Sequence, residues 1–462
     1  MNSKHYKYIF LLLPAFVVSC DKKLDLVPTD TVESTKAFRN MADINLGIIG
    51  AYAVLGSSDI TNTSLVSDEV MLPTENITGG GIATHRWQID GSNGTITSAF
   101  NENYVAIDRV NRVLAALDVI STTPGEQSLK DRYRGELLAL RAYCHFELIR
   151  NYASKYEAGA LGVVYMEQSA IGLPSRLSFE ATMAKIKADI TAAKPLMPSS
   201  FNDKTRITKA AVSAIQARIA LYEKNWDEAI TYSTEAISMI PLATRAQFPL
   251  IWKDQSDAEV FWKLRRATAA DGLLGDFYYR TNNTVLYAPA YKLMNQFDQV
   301  NDIRFSSYIK VDNNRGAGKI PNIVIKYAGI TTANLADVKL YRTGEMFLIR
   351  AEAHAEKNMI TEASNDLNTL RAARITGYTD ETFTDKTQVI DSVYAERFKE
   401  LAFEGHRFFD LRRRNLPVVR EPEDAINTLG SVLLTPNDPQ YAFPLPDAEL
   451  KVNENMVQNP GY

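Results

Sequence analysis

Three carboxylates, Glu396, Glu400 and Glu404, recur at four-residue spacing in residues 396–415, ERFKELAFEGHRFFDLRRRN. On a helix that spacing puts all three on one face, one above the other. Two carboxyl groups about 5–10 Å apart are what glycoside hydrolysis uses as acid and partner, and Glu400 with Glu404 meets that distance. The surroundings argue against it. Arg397, Lys399, Arg407, Arg412, Arg413 and Arg414 crowd the same stretch, and arginines keep carboxylates ionised, the opposite of what a general acid requires. Stacked like charges each cost roughly 0.2–0.5 kcal/mol on a helix, so the stack needs cations. The expectation is a structural ion network of Glu396, Glu400, Glu404, Arg407, Asp410 and Arg412, with no catalytic residue. Gly405 suits the left-handed residue that closes a helix and folds Arg407 and Asp410 back over its last turn.

Other chemistry-bearing residues are sparse. Of His5, His85, His145, His354 and His406, no pair has the close spacing of a zinc site. Cys144 and His145 are adjacent in a helical run and point about 100° apart, so they read as packed between helices and not as a nucleophile and its base. Asp312, Asn314 and Gly316 resemble the start of a calcium loop without its twelfth-position glutamate, and are expected to form a polar turn. No phosphate loop or nucleophile elbow occurs. Neither metal nor cofactor is expected.

The aromatic residues point to binding. Trp87 lies beside His85 in a long loop with Gly79, Gly80, Gly81, Gly91 and Gly94, between helical runs at 42–55 and 104–117. Tyr278, Tyr279, Tyr287 and Tyr291 sit in an irregular segment with Asn282, Asn283 and Pro289. A ring on a fixed loop stacks on a sugar face or a peptide side chain at little entropy cost. Trp87 is the first candidate ligand contact, with Tyr278 and Tyr287 behind it.

At the N-terminus Lys4 and Lys7 precede an apolar run, 9–18, broken by Pro14 and ending at Ser19-Cys20. It falls well short of the roughly 20 residues a membrane-spanning helix needs. Residues 1–19 therefore read as a signal peptide, and Ser19-Cys20 resembles the lipobox of bacterial lipoproteins, in which the cysteine is acylated and becomes the new N-terminus. Residues 20–35, polar and proline-containing, read as a tether. With Cys20 lipidated only Cys144 remains, so no intrachain disulfide forms. Apolar residues at 45% and charged residues at 23% describe a globular body, and a net charge of −4 argues against nucleic acid as partner.

The elements that must carry these residues are mostly helices. LLALRAYCHFEL (137–148), AIQARIALYEKN (214–225) and MFLIRAEAHAEKN (346–358) share an apolar face and a central arginine, Arg141, Arg218 or Arg350. Residues 224–241 place Ala229, Ala236 and Pro241 where the tetratricopeptide repeat has its small residues and closing proline, and 357–370 is a weaker copy with Ala363 and Leu370. Small residues there let antiparallel helices approach closely. The copies are not tandem, so helix pairs over 104–241 and 339–415 are separated by an irregular insertion, 242–338. Within it, 259–264 and 322–327 read as strands.

Several stretches together carry a family resemblance: CDKKLDLVPTD from Cys20, LRAYCHFELIRNYA at 140, NDIRF at 301, YRTGEMFLIRAEAHAE at 341, LNTLRAAR at 367, the 396–415 stretch, and the ending FPLPDAELKVNENMVQNPGY. The chain resembles the SusD/RagB family of Bacteroidetes nutrient-binding lipoproteins over nearly all its length. The resemblance implies one all-α-dominated domain, 36–462, of about four tetratricopeptide-like helix pairs supporting an irregular ligand-binding part. It implies a lipid-anchored protein on the outer face of the outer membrane, with no enzymatic activity. Such a protein binds an oligosaccharide or, in some members, a peptide, and hands it to a SusC-like TonB-dependent transporter. Two rival readings are a helix-pair scaffold that binds only protein and a surface hydrolase using Glu400 and Glu404.

Overall fold

The structure, a computed structural model, describes residues 37–77 and 79–462. The expected signal peptide, Cys20 and the tether lie outside the described residues. The fold is dominated by helices, in order α1 (Met41–Tyr52), α2 (Ser58–Val66), α3 (Gly94–Val119), α4 (Gln127–Tyr152), α5 (Phe179–Ala193), α6 (Lys209–Glu223), α7 (Trp226–Met239), α8 (Thr343–Glu356), α9 (Ile360–Ala372), α10 (Lys386–Glu400), α11 (Arg407–Arg413) and α12 (Asp447–Val452), with a few shorter ones between. Among the described residues no helix is long and apolar enough to cross a membrane.

The helices pack as tetratricopeptide-like pairs for the reason their composition gives. α6 is buried along most of its length and presents Ala211, Ala214, Ala217 and Ala220. α7 buries only Ala229, Ser233 and Ala236, a one-sided stripe at four- and three-residue steps. These small residues let the two backbones approach closely. Asn225 caps α7 by accepting from the Glu228 N–H, and Lys224, at φ +57°, turns the chain between the helices. α8 packs on α9 the same way, against Ala363, Leu367 and Leu370. α4 packs on α3 and α5, and α8 also packs on α7 and α10. α7 and α8 are thus neighbours in space although 103 residues separate Ile240 from Thr343, whose hydroxyl donates to the Ile240 carbonyl at 2.8 Å.

The insertion between them is closed at its root by a two-stranded antiparallel sheet, β1 (Val260–Leu264) with β2 (Val338–Arg342), bulged around Trp262. Trp262 is fully buried, edge-on to Tyr143 of α4 at 4.7 Å and stacked on Tyr341 at 6.3 Å, which ties the root to the scaffold. Further out, Ile309–Val311 pairs with Asn322–Val324, and Tyr279–Arg280 with Thr284–Val285. Val70–Met71, from the glycine-bearing loop, pairs with Ala288–Pro289 of the insertion. The loop and the insertion, more than 200 residues apart in sequence, form one continuous surface.

Candidate functional site

The carboxylate stack is the hub of a buried ion cluster. α10 ends at Glu400, so Glu396 and Glu400 are one helical turn apart while Glu404 lies in the turn beyond. This corrects the expected three-high stack and the role given to Gly405. The first left-handed residue after the helix is Phe403, at φ +64°, and Gly405 at φ +81° follows in the same turn. A bulky residue at positive φ is strained. Phe403 is held there by its N–H donating to Glu69 Oε2 at 3.1 Å and its carbonyl accepting the Tyr327 hydroxyl at 3.0 Å.

The cations come from elsewhere than expected. Glu400 accepts from Arg304, Arg342 and Arg374, at 3.0–3.1 Å. Glu396 meets Arg304, Arg371 and Lys399, and Glu404 meets Arg342 and Lys326. Of the six cations beside the stack in sequence, only Lys399 touches it. Arg407 reaches instead to Asp68, at 2.6 and 2.8 Å. Asp410 takes Arg397 and Arg413. Arg412 donates to backbone carbonyls at the end of α4, that of Arg150 at 2.9 Å among them. Helical periodicity shows which side chains share a face, but not which distant segment covers it. The signal for the missed partners was in the sequence, since Asp302 and Arg304 of NDIRF, Arg342 of YRTGE, and Arg371 and Arg374 of LNTLRAAR all converge here.

Burial pushes the Glu400 carboxyl up, and Arg374, Arg342 and Arg304 outweigh it, holding the group below the usual carboxylate range. Glu396 is held low in the same way, burial being overcome by Arg304, Lys399 and Arg371. A carboxyl so held has no proton to give a leaving group at neutral pH, and Glu400 is closed off from solvent. The cluster is suited to fixing the insertion on the scaffold.

The three rings expected to stack on ligand are core residues. Trp87 is 8% exposed, Tyr278 1% and Tyr287 0%. Trp87, at φ +56°, donates its indole N–H to the Val66 carbonyl at 2.9 Å, with the Arg420 guanidinium 4.2 Å from its ring centre. Tyr278 packs edge-on to Phe403 at 5.5 Å, and its hydroxyl lies 3.1 Å from Ser64 Oγ. Tyr287 stacks on Phe277 at 5.0 Å and donates to the Gly80 carbonyl at 2.6 Å. An irregular segment needs interior anchors, and these tyrosines supply them.

What the anchors leave at the surface is a polar face of loop tips. Arg315, itself buried, donates to both oxygens of Glu75 at 2.6 and 2.9 Å, and to the carbonyl and side-chain oxygens of Asn283 at 2.8 and 3.1 Å. Glu75 also accepts the N–H groups of Val285 and Ile320 at 3.1 Å each. One guanidinium thereby joins three loops. Above it Tyr279 is half-buried, its hydroxyl donating to Asn283 at 3.1 Å. Thr281, Asn282, Asn313 and Asn314 are exposed around it, and so is Ile77, at 88%.

The remaining chemistry-bearing residues are structural. His145 donates to the Arg141 carbonyl and accepts the Met166 N–H, stacked on Tyr165 at 3.8 Å, and burial draws it down to about 3. Burial likewise holds His85 neutral and pushes the Cys144 thiol up. Asp312 accepts the Asn314 N–H and pairs with Lys310, a polar turn. Among the described residues no group of three or more His, Cys, Asp or Glu is placed to hold a metal ion.

Comparison with known proteins agrees with this architecture. A family model described as starch-binding and associating with the outer membrane matches residues 23–221, and a model of the SusD family matches residues 306–462. Curated relatives include the SusD-like proteins P25 and P38 of Formosa agariphila, each 21% identical, with 98% and 99% of both chains covered respectively. Among solved structures, a SusD superfamily protein of Bacteroides vulgatus superposes with a TM-score of 0.81 at 21% identity, over 92% of this chain and 100% of that one. A SusD-like carbohydrate binding protein of the same organism gives 0.75 at 21% identity, over 91% and 98%. At such identities the solved structures speak for the fold, and the two models speak for the lineage: the chain belongs to the SusD/RagB family.

Proposed function

We propose that this protein captures an oligosaccharide at the cell surface and passes it, without chemistry, to a SusC-like TonB-dependent transporter, held to the outer membrane by a lipid on Cys20. The observation that carries the reading is the Arg315 junction, which fixes the tips of three loops into one polar face. Amide side chains such as Asn282 and Asn314 offer both donors and acceptors to sugar hydroxyls, and the half-buried ring of Tyr279 offers an apolar surface to a pyranose face. A preorganised face avoids the ordering cost that mobile loops would bring to binding. The starch-binding description of the matched model makes maltoheptaose the first probe. Tyr279→Ala is expected to weaken maltoheptaose, or whichever glycan a panel identifies, by roughly 1–3 kcal/mol in calorimetry, with the thermal midpoint little changed. Equal affinity in wild type and variant removes Tyr279 from the site. A protein that binds no glycan or peptide but co-purifies with a barrel from outer membranes is a scaffold only.

A further inference from the structure

We propose that a second cleft, sharing no residue with the loop face, takes an acidic saccharide, one carrying carboxylate or sulfate groups. The cleft encloses about 970 Å³ between the loop after α4, the ends of α6 and α11, the turn at 436–442 and the last residues of the chain. That is near the top of the roughly 300–1,000 Å³ range of small-ligand clefts and far larger than a lone anion needs.

Its charge runs against that of the whole chain, which carries −4. Lys155, Lys224, Arg412 and Arg413 line it, against Glu157 and Asp438. Arg413 is matched within the fold by Glu352 and Asp410, and Asp438 is occupied by the backbone N–H and hydroxyl of Thr435. Lys155 meets Glu157 at 3.5 Å between two exposed side chains, a pair of little strength in water. Arg412 donates to the carbonyls of Arg150, Ala153 and Ser154 and to the Tyr156 hydroxyl, and among the described residues no carboxylate lies within ion-pair distance of it. Lys224, in the lining, is exposed and also has no carboxylate in ion-pair distance among the described residues. Arg412 therefore brings to the floor a positive charge that carbonyls hold in place and no carboxylate offsets, and the exposed Lys224 brings one that is open to an anionic ligand.

The rest of the lining selects the ligand class. It includes no Leu, Ile, Val, Met, Phe or Trp, and its apolar surface is that of Tyr156, Tyr441, prolines and alanines, which suits the face of a sugar ring better than a deep aliphatic anchor of a peptide. Ser154, Asn415 and Asn437 provide the donors and acceptors that hydroxyls use. Exposed lysines act as hydrated point charges suited to either a carboxylate or a sulfate.

Calorimetry on the purified protein at low salt tests this with trigalacturonic acid, its methyl ester, a sulfated galactan tetramer and hexaglutamate. The acidic saccharides are expected to bind, and the ester to bind far less. The double substitution Lys155→Glu, Lys224→Glu is expected to lower that affinity by about tenfold or more while leaving the thermal midpoint unchanged. Binding of only one acidic saccharide identifies the anion as carboxylate or sulfate. Equal binding of acid and ester, no binding of either acidic saccharide, or an unaffected double variant overturns the proposal, and tighter binding of hexaglutamate overturns its saccharide class. Tyr279→Ala is expected to leave trigalacturonate binding intact. If it abolishes binding while the lysine variant does not, the acidic ligand sits on the loop face, which removes the second site but not the first.

Discussion

Arg342 grips Glu404 with a two-pronged fork, its Nε and one Nη each 2.7 Å from a different oxygen of the carboxylate. The arginine ends the root strand of the insertion and the glutamate follows the helix of the scaffold, so the fork is where one part is fastened to the other. Lys326 adds a third bond to Glu404 at 2.6 Å while lying within cation–π distance of Tyr308 and Trp252. Removing Glu404 leaves Lys326 a buried cation with no carboxylate in ion-pair distance among the described residues, and Arg342 with only Glu259 and Glu400; breaking a buried pair in this way costs about 3–5 kcal/mol. Glu404→Ala is accordingly expected to lower the denaturant midpoint steeply. The double variant Glu404→Ala, Lys326→Met, which removes both the carboxylate and the cation it alone balances, is expected to recover part of the loss. A Glu404→Ala protein of native stability would show that Lys326 and Arg342 are balanced without Glu404.

Gly344 tests the same cluster from its other side. A Cβ built there would lie 2.3 Å from Glu400 Oε1. That oxygen is held by Arg342 and Arg374 at 3.0 Å each, so it is not a flexible chain end that can swing aside. Gly344 is in α8, where alanine is ordinarily better than glycine by about 1 kcal/mol. The clash is expected to reverse that sign. Gly344→Ala should destabilise by about 1–3 kcal/mol in equilibrium unfolding, as overpacking in a close-packed interior does, and stabilisation would mean that the carboxylate can move.

Two adjacent carboxyls are expected to act oppositely on stability as pH changes. Burial raises Asp68, but Arg407 and Lys292 overcome it and leave the group at about 2, below its ordinary 3.8. Its contribution is present in full above pH 3.8 and lost as pH falls through 2. Glu69 has only the Ser64 hydroxyl and the Phe403 N–H beside its carboxyl, with no cation in ion-pair distance among the described residues, and burial pushes it up to about 7 from 4.5. Its folded form therefore holds a proton that the unfolded chain gives up, and the stability linked to it is present below pH 4.5 and lost as pH rises through 7. Glu69→Gln, which cannot ionise, should have a flatter unfolding free energy than wild type between pH 4.5 and 7, by up to about 1.4 kcal/mol per pH unit. Parallel pH profiles would mean that Glu69 titrates alike in both states.

The helical part was legible because its signals are local. The small residues Ala229, Ala236 and Ala363 lie in the seams where the repeat pattern puts them, and the strand expected at 259–264 occupies 260–264. The ion network was half legible. That Glu396 and Glu400 are structural follows from charge density, but their partners Arg304, Arg342 and Arg374 lie 26–96 residues away and only tertiary packing brings them in. Gly405 is left-handed as its type suggests, but Phe403, two residues before it, turns first, held by two hydrogen bonds that no local rule contains. The ligand-facing aromatics were the least legible. Loop context does not distinguish a ring held as an internal anchor from one offered to solvent, since both recur among glycines and asparagines.

Trp87 gives the sharpest contrast between the two kinds of ring. If it faced ligand, Trp87→Ala would change affinity and leave the fold alone. Its indole instead fills the space under the Arg420 guanidinium and satisfies the Val66 carbonyl. Removing it leaves a cavity, an unpaired carbonyl and a buried cation with less around it. Large-to-small changes of this kind cost about 3–5 kcal/mol, so Trp87→Ala is expected to lower the thermal midpoint by several degrees. At temperatures where the variant is still folded, its glycan affinity should match wild type, whereas that of Tyr279→Ala should not. The discriminating measurement is calorimetric titration of both variants well below their midpoints. A stable Trp87→Ala protein with weakened binding would put the ligand against residues 84–88 and make the loop face extend around Ile77 toward the Arg420 side.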